Sequence, residues 1–246
     1  MYHSITFGDK NTWDDWHLVP SSRPVFNPPK QKSLFMNVPG GDGLEDLSEI
    51  ISGEPIYTNR EGSFEFLVMN GYHDWQDLYS DIMDYLHGQS MKASLEDDPS
   101  FYYEGRFTVN QWKSDKNWSR IVIDYSVKPY KLLKASTMDE WEWDDIDFEY
   151  DMDITYNLEL VNVVGSWSTT FKSLRRTLTP TFTVSTPDGS GLTIQITDNL
   201  NHSYSKHFSD GDELFDPNLR IYGPANTTIT VTGTGTIAIN FRMGRL

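Results

Sequence analysis

The residues of this chain best suited to chemistry sit near its end. His202 and His207, with Asp198, Asp210 and Asp212 close by, bring together imidazoles and carboxylates that hard and borderline metals accept. Their pattern does not suit the task. Histidines five residues apart in a loop do not share a helical face, and Asp210-Gly-Asp-Glu213 is too short for a calcium-binding loop. Gly233-Thr-Gly235-Thr-Ile-Ala238 fits the letter of the dinucleotide fingerprint. That fingerprint needs a strand before it and a helix after it, whereas here both flanks have strand character, so the reading is a β-turn between two strands. Asn37-Val-Pro-Gly-Gly-Asp-Gly43 also reads as a turn, because no Lys-Ser/Thr pair and no helix follow it. Nucleophile elbows, His-Glu-x-x-His pairs and Walker loops do not occur. Carboxylates and tryptophans are plentiful, but nothing in their spacing sets two carboxylates at the separation that glycoside hydrolysis requires. The expectation is a protein with no catalytic residues, cofactor or metal.

Totals narrow the classes further. The 246 residues contain 13 Phe, 13 Tyr and 8 Trp, enough for one large or two ordinary cores. The net charge of -16 opposes binding to phosphate backbones or anionic membranes. Without cysteine the chain has no disulfide and no thiol chemistry. The first residues lack a basic region followed by an apolar core, so no signal peptide is expected, and no apolar run reaches the roughly 18 residues of a membrane span.

The stretch that organises the rest is 57–88. Within it Trp75, Leu78, Tyr79, Ile82, Met83 and Leu86 recur at intervals of three and four, predicting one amphipathic helix over 74–87. Asp74 is placed to cap it, Asp77 and Asp81 favour its positive end, and Gly88 is placed as a left-handed stop. Before it, 55–60 and 63–69 read as two strands joined by a turn at Glu61-Gly62. After it, 101–112 and 118–127 form a strand pair in which Ile121, Ile123 and Tyr125 share one face.

Upstream, 4–36 is read as short extended pieces broken by Pro20, Pro24, Pro28 and Pro29. Downstream, the composition shifts near residue 132, predicting domains at 1–132 and 133–246. In the acidic stretch 145–153, Asp145, Asp147, Glu149, Asp151 and Asp153 alternate with apolar residues, the period of a strand with one carboxylate face. Neighbouring carboxylates there would repel by roughly 0.6 kcal/mol per pair in water. From 156 onward, short strands between turns predict an antiparallel sandwich. The fold class expected is mainly β with one helix, in two domains.

Several segments taken in order carry a resemblance. They are Phe7-Gly-Asp-Lys-Asn-Thr-Trp-Asp-Asp-Trp-His-Leu18, Val38-Pro-Gly-Gly-Asp-Gly-Leu-Glu-Asp-Leu47 and Tyr57-Thr-Asn-Arg-Glu-Gly62, then the helix ending in Leu86-His-Gly88, Tyr103-Glu-Gly-Arg106 and Lys128-Pro-Tyr130. Together they resemble the distal tail protein (Dit) family of siphophages, with a softer match in 224–242. The resemblance implies an N-terminal β domain with one helix that forms a hexameric ring, and a galectin-like C-terminal sandwich. It implies a virion structural protein at the distal end of the tail, joining the tail tube to the tail-associated lysin, fibre or receptor-binding protein, with a passage for DNA. On this reading Trp13, Trp16, Arg60 and Arg106 are candidates for the contacts between copies, and Arg60→Glu is expected to weaken assembly without unfolding the monomer. The other class to weigh is a carbohydrate-binding or glycan-processing sandwich, which would not need the helix-bearing first 130 residues.

Overall fold

A computed structural model describes residues 2–50, 52–69, 75–114, 119–134, 158–171, 177–223 and 226–246. The acidic stretch 145–153 and the cap Asp74 lie outside the described residues. With 51% strand and 6% helix the fold is mainly β, and the described residues contain one helix and two curled sheets. By compactness the chain divides into one unit over 1–131 and a second over 132–245.

The first unit contains β1 (Ile5–Phe7), β2 (Lys10–Asn11), β3 (Leu18–Pro20), β4 (Phe35–Met36), β5 (Glu45–Asp46), β6 (Arg60–Val68), α1 (Trp75–Leu86), β7 (Gln89–Leu95), β8 (Phe101–Ser114) and β9 (Ser119–Val127). Its sheet runs β2-β1-β7-β8-β9-β6-β3, with antiparallel neighbours throughout. Alternation decides its two faces. In β9, Ile121, Ile123, Tyr125 and Val127 are buried while the residues between them are not. Ile82 and Leu86 of α1 join that core, with Leu78, Tyr79 and Met83 packed around them. Burying each of the two contributes roughly 1.5–3 kcal/mol. The helix ends as its sequence predicts: His87 N–H closes the last turn on Met83 O, and Gly88 at φ 73° turns the chain so that its N–H meets Phe107 O.

One expectation fails here. Glu61-Gly62 is not a turn, because β6 runs through it without a break, Glu61 facing Ser126 and Gly62 facing Tyr125. A Cβ on Gly62 would lie 2.5 Å from both the Tyr125 hydroxyl and the Asn27 amide nitrogen. The glycine is therefore a close approach within a strand, not a reversal.

The second unit takes up the chain at β10 (Lys131–Leu133) and continues with β11 (Val161–Phe171), β12 (Thr181–Ser185), β13 (Leu192–Thr197), β14 (Ser203–Phe208), β15 (Gly211–Leu214), β16 (Thr227–Asn240) and β17 (Gly244–Arg245). Its main sheet runs β14-β13-β16-β12-β15, with β11 also paired to β16. The long β16 is the spine: β11 follows it from Thr227 to Ile237, β13 takes Thr228–Thr232 in register, and β12 takes Thr236–Asn240. The turn expected at Gly233-Thr-Gly235 is likewise absent, since β16 crosses it as continuous strand. A Cβ on Gly235 would lie 2.5 Å from Ser185 O, and one on Gly233 would lie 2.7 Å from Leu192 Cδ2. These glycines make room where β16 passes from one neighbour to the next.

Candidate assembly surface

Arg60 opens β6 and points inward; it is only 5% exposed. Its Nε donates to Pro129 O at 2.7 Å and its Nη1 to Asn27 O at 3.0 Å, while the guanidinium lies 5.5 Å from the Tyr103 ring centroid. Nη2 is buried without a hydrogen-bond partner. Burial lowers the pKa of this guanidinium, with the phenols of Tyr103 and Tyr125 opposing the shift. One side chain thus joins the 27 loop, the start of β6 and the exit at Pro129. Trp16, 4% exposed, packs edge-on against Tyr85 at 5.7 Å between ring centroids. Both side chains are occupied within their own unit.

Trp13 and Arg106 lie differently. Trp13 is half-buried and stacks on Tyr2 at 3.7 Å, with the His17 ring tilted against it at 5.7 Å. Met69 N–H donates to His17 O at 3.0 Å, which ties the end of β6 to the turn before β3. Tyr2 is 48% exposed, so the stacked pair keeps an open outer edge. Arg106 is exposed and donates to Gly88 O. It lines a shallow groove of about 570 Å³ on the outer face of β6, β8 and β9, with Glu61, Ser63, Thr108, Asp124 and Ser126. The groove carries carboxylates, hydroxyls and one guanidinium, groups that hold polar surfaces rather than a paired nucleophile and base. The structure thus places two of the four candidates inside the unit and two on separate parts of its surface.

The histidines drawn together in the sequence are apart in the fold. His202 Nδ1 lies 3.0 Å from Asp198 Oδ2 in the turn before β14, while His207 Nδ1 lies 3.1 Å from Thr193 Oγ1 near the far end of that strand. Among the described residues no group of three or more His, Asp or Glu side chains is placed to hold a metal. No helix among them is long and apolar enough to cross a membrane.

A feature the sequence reading missed stands between β3 and β6. Segments 30–50 and 52–58 fold back on one another as an arm. Its base is a ladder in which Lys32 N–H meets Ile56 O at 2.7 Å and Thr58 N–H meets Lys30 O at 2.8 Å. Above the base, β4 pairs only with β5 in a two-stranded sheet of their own. At the tip, Gly41 N–H closes on Val38 O at 3.0 Å, in the turn read from Asn37 to Gly43. Phe35 is 54% and Met36 52% exposed, so both faces of the hairpin present apolar surface. The available signal was the run Leu34-Phe35-Met36, three apolar residues without alternation beside a glycine turn.

A polar cluster fixes the N-terminal strand. His3 Nδ1 lies 2.9 Å from both Asp97 oxygens, and Arg23 Nε donates to Asp97 Oδ2 at 2.9 Å. Hydrogen bonding to His3 holds the Asp97 carboxyl below the ordinary aspartate range; Arg23 adds to this, while desolvation opposes it. A depressed folded-state pKa gives stability that is present above the unfolded value near 3.9 and lost as pH falls through the folded one. Thermal scans between pH 6 and 2.5 are therefore expected to show a steeper acid-side loss for the wild type than for Asp97→Asn. Equal slopes would mean that the cluster contributes nothing to the acid limb.

No protein-family model matches the chain, and no curated protein matches it. Among solved structures the fold is similar to the crystal structure of the Dit (gp 19.1) protein of phage SPP1, described as a paradigm of the hub adsorption apparatus in phages that infect Gram-positive bacteria. The TM-score is 0.61 at 13% identity, and the likeness covers 98% of this chain and 99% of that one. At that identity the likeness is one of fold, and it extends over both units.

Proposed function

We propose that this chain is a structural protein of a siphophage tail tip, a non-enzymatic hub that closes into a six-membered ring. The observation that carries this reading is the end-to-end match to the SPP1 Dit fold, which leaves almost no part of either chain unaccounted for. The ordered segments from Phe7 to Tyr130 that resemble the Dit family support it independently of the fold. On this reading the unit over 1–131 builds the ring and the unit over 132–245 is a galectin-like domain outside it. The ring joins the tail tube to the tail-associated lysin, fibre or receptor-binding protein and leaves a central passage for DNA. The protein belongs at the distal end of the tail in the virion, after synthesis in the host cytoplasm. The high negative charge suits a passage that a polyanion must cross without sticking.

Light scattering on the purified chain, with negative-stain imaging of the main peak, tests the proposal. The expected result is a species near six times the 28.4 kDa monomer, with a central hole. A monomer that binds cell-wall glycans, and forms no ring with tail-tube protein added, would overturn it.

A further inference from the structure

We infer that Asp42 is a site of spontaneous covalent modification: the Asp42-Gly43 unit closes to a succinimide and reopens as isoaspartate, while the fold protects the other two Asp-Gly pairs of the chain. The inference concerns the chain's own chemistry and is independent of the hub reading.

The sequence places an aspartate before a glycine three times, at Asp42-Gly43, Asp188-Gly189 and Asp210-Gly211. In each pair the second residue has no Cβ, so its nitrogen can approach the aspartate Cγ without steric obstruction. The step is a condensation. Gly43 N bonds to Asp42 Cγ, and the hydroxyl of the carboxylic acid leaves as water with the amide proton. One water molecule then adds back and opens the ring. Opening between the nitrogen and Cγ restores aspartate. Opening between the nitrogen and the α-carbonyl carbon leaves the chain running through Cβ and Cγ, with the carboxylate on the α-carbon. Mass is unchanged, and the main chain gains one carbon in the loop that joins β4 to β5.

The fold decides which pair reacts, because the step needs a mobile carboxyl, an unengaged amide and a backbone free to rotate. Asp210 is held by its carboxylate, which accepts from Thr186 N at 3.0 Å and from Thr186 Oγ1 at 2.6 Å, and Gly211 lies in β15 in register with Val184 of β12. Asp188 is tied at both groups: its Oδ1 accepts from Ser190 N at 3.0 Å, and Gly189 N–H donates to Thr186 O at 3.3 Å. Hydrogen bonds from Ser190 and Thr186 also hold these two carboxyls below the ordinary aspartate range, favouring the ionised form, which parts less readily with an oxygen. Asp42 is exposed near the arm tip. Among the described residues neither its carboxylate nor Gly43 N–H has a hydrogen-bond partner. Gly43 sits at φ 81°, and a Cβ there would meet nothing within 4 Å. The nearest fixed points are Gly41 N–H on Val38 O and the paired residues Met36 and Glu45, so the Asp42-Gly43 unit can rotate without breaking a hydrogen bond.

Warm storage of the full-length chain at neutral pH, native and in guanidinium chloride, provides the test. Samples taken over weeks are labelled with an isoaspartyl methyltransferase and mapped by electron-transfer fragmentation, which tells isoaspartate from aspartate at equal mass. Deamidation at Asn70-Gly71 changes the mass and is thereby kept apart. In the native chain isoaspartate is expected at 42 at a level at least roughly tenfold above 188 and 210, the factor set by the hydrogen bonds those two must break. In denaturant, where the bonds are gone, the three sites should form it at comparable rates. Asp42→Glu must close a six-membered ring instead; at this exposed position it should keep the wild-type unfolding temperature and lose the signal at 42. Native labelling that is equal at the three sites, greatest at 188 or 210, or absent at 42 would overturn the inference. An excess at 42 that persists unchanged in denaturant would overturn it too, because the sequence and not the fold would then choose the site.

Discussion

Arg60→Glu is expected to unfold the N-terminal unit, with loss of assembly as a consequence. The arginine satisfies the carbonyls of Pro129 and Asn27, and a glutamate in its place would set a carboxylate against those two acceptors, in a site 5% exposed. Burying a charge without a partner costs several kcal/mol, and breaking a buried charged arrangement from one side typically costs about 3–5 kcal/mol. Against a total stability of about 5–15 kcal/mol, that is at least about a fifth, and in a marginal domain most of it. The urea midpoint should therefore fall sharply. Arg60→Met, which keeps the stem beside Tyr103 and leaves only the carbonyls unpaired, should lose about 2–3 kcal/mol. The expectation drawn from the sequence was the reverse, a stable monomer that fails to assemble. An unchanged midpoint with lost oligomer mass would restore that view and make Arg60 a contact between copies.

Gly105→Ala is the second large effect. In β8 this glycine is in register with Met91 of β7 and Val127 of β9. A Cβ there would lie 2.3 Å from Ser126 O and 2.4 Å from Val127 Cα. These are backbone atoms of β9, held by ladders on both sides, so the strain cannot be relieved by turning a side chain. Forcing a methyl group into a packed interior costs typically 1–3 kcal/mol, and a backbone clash belongs at or above the top of that range. Gly88→Ala is the control: a Cβ at Gly88 meets nothing within 4 Å, and only its φ of 73° is unfavourable. That substitution should cost about 1–2 kcal/mol. Comparable denaturation midpoints for the two variants would show that β9 gives way easily and that the steric argument for Gly105 fails.

The difference between these glycines also shows where sequence reasoning stops. Periodicity reveals which face of an element is buried, and so α1 and the Ile121-Ile123-Tyr125 face of β9 were legible. A glycine is ambiguous in isolation, because it permits a turn and it permits a close approach. Gly62 and Gly235 are close approaches, and what decides this is Tyr125 and Asn27 in one case and Ser185 in the other, residues far away in the chain. Arg60 has the same difficulty, since its partners stand 33 and 69 positions away. Charge and strand position alone read as surface. The arm was illegible for a different reason: hydrophobic residues are assumed to face a core of their own chain, and these do not.

The long strand β16 sets an order of events during synthesis. Each of β11, β12 and β13 pairs with it, and it is made of residues 227–240. Until those residues leave the ribosome, the second unit has strands but no spine to lay them on. In chain order the path β2-β1-β7-β8-β9-β6-β3 is completed by β9, which ends at Val127, and Arg60 then waits only for Pro129. At about 5–20 residues per second, the first unit can be complete on the order of ten seconds before the second can begin to close. Where ribosomes follow one another on a single message, nascent chains that carry a finished first unit meet while the rest of each is still being made.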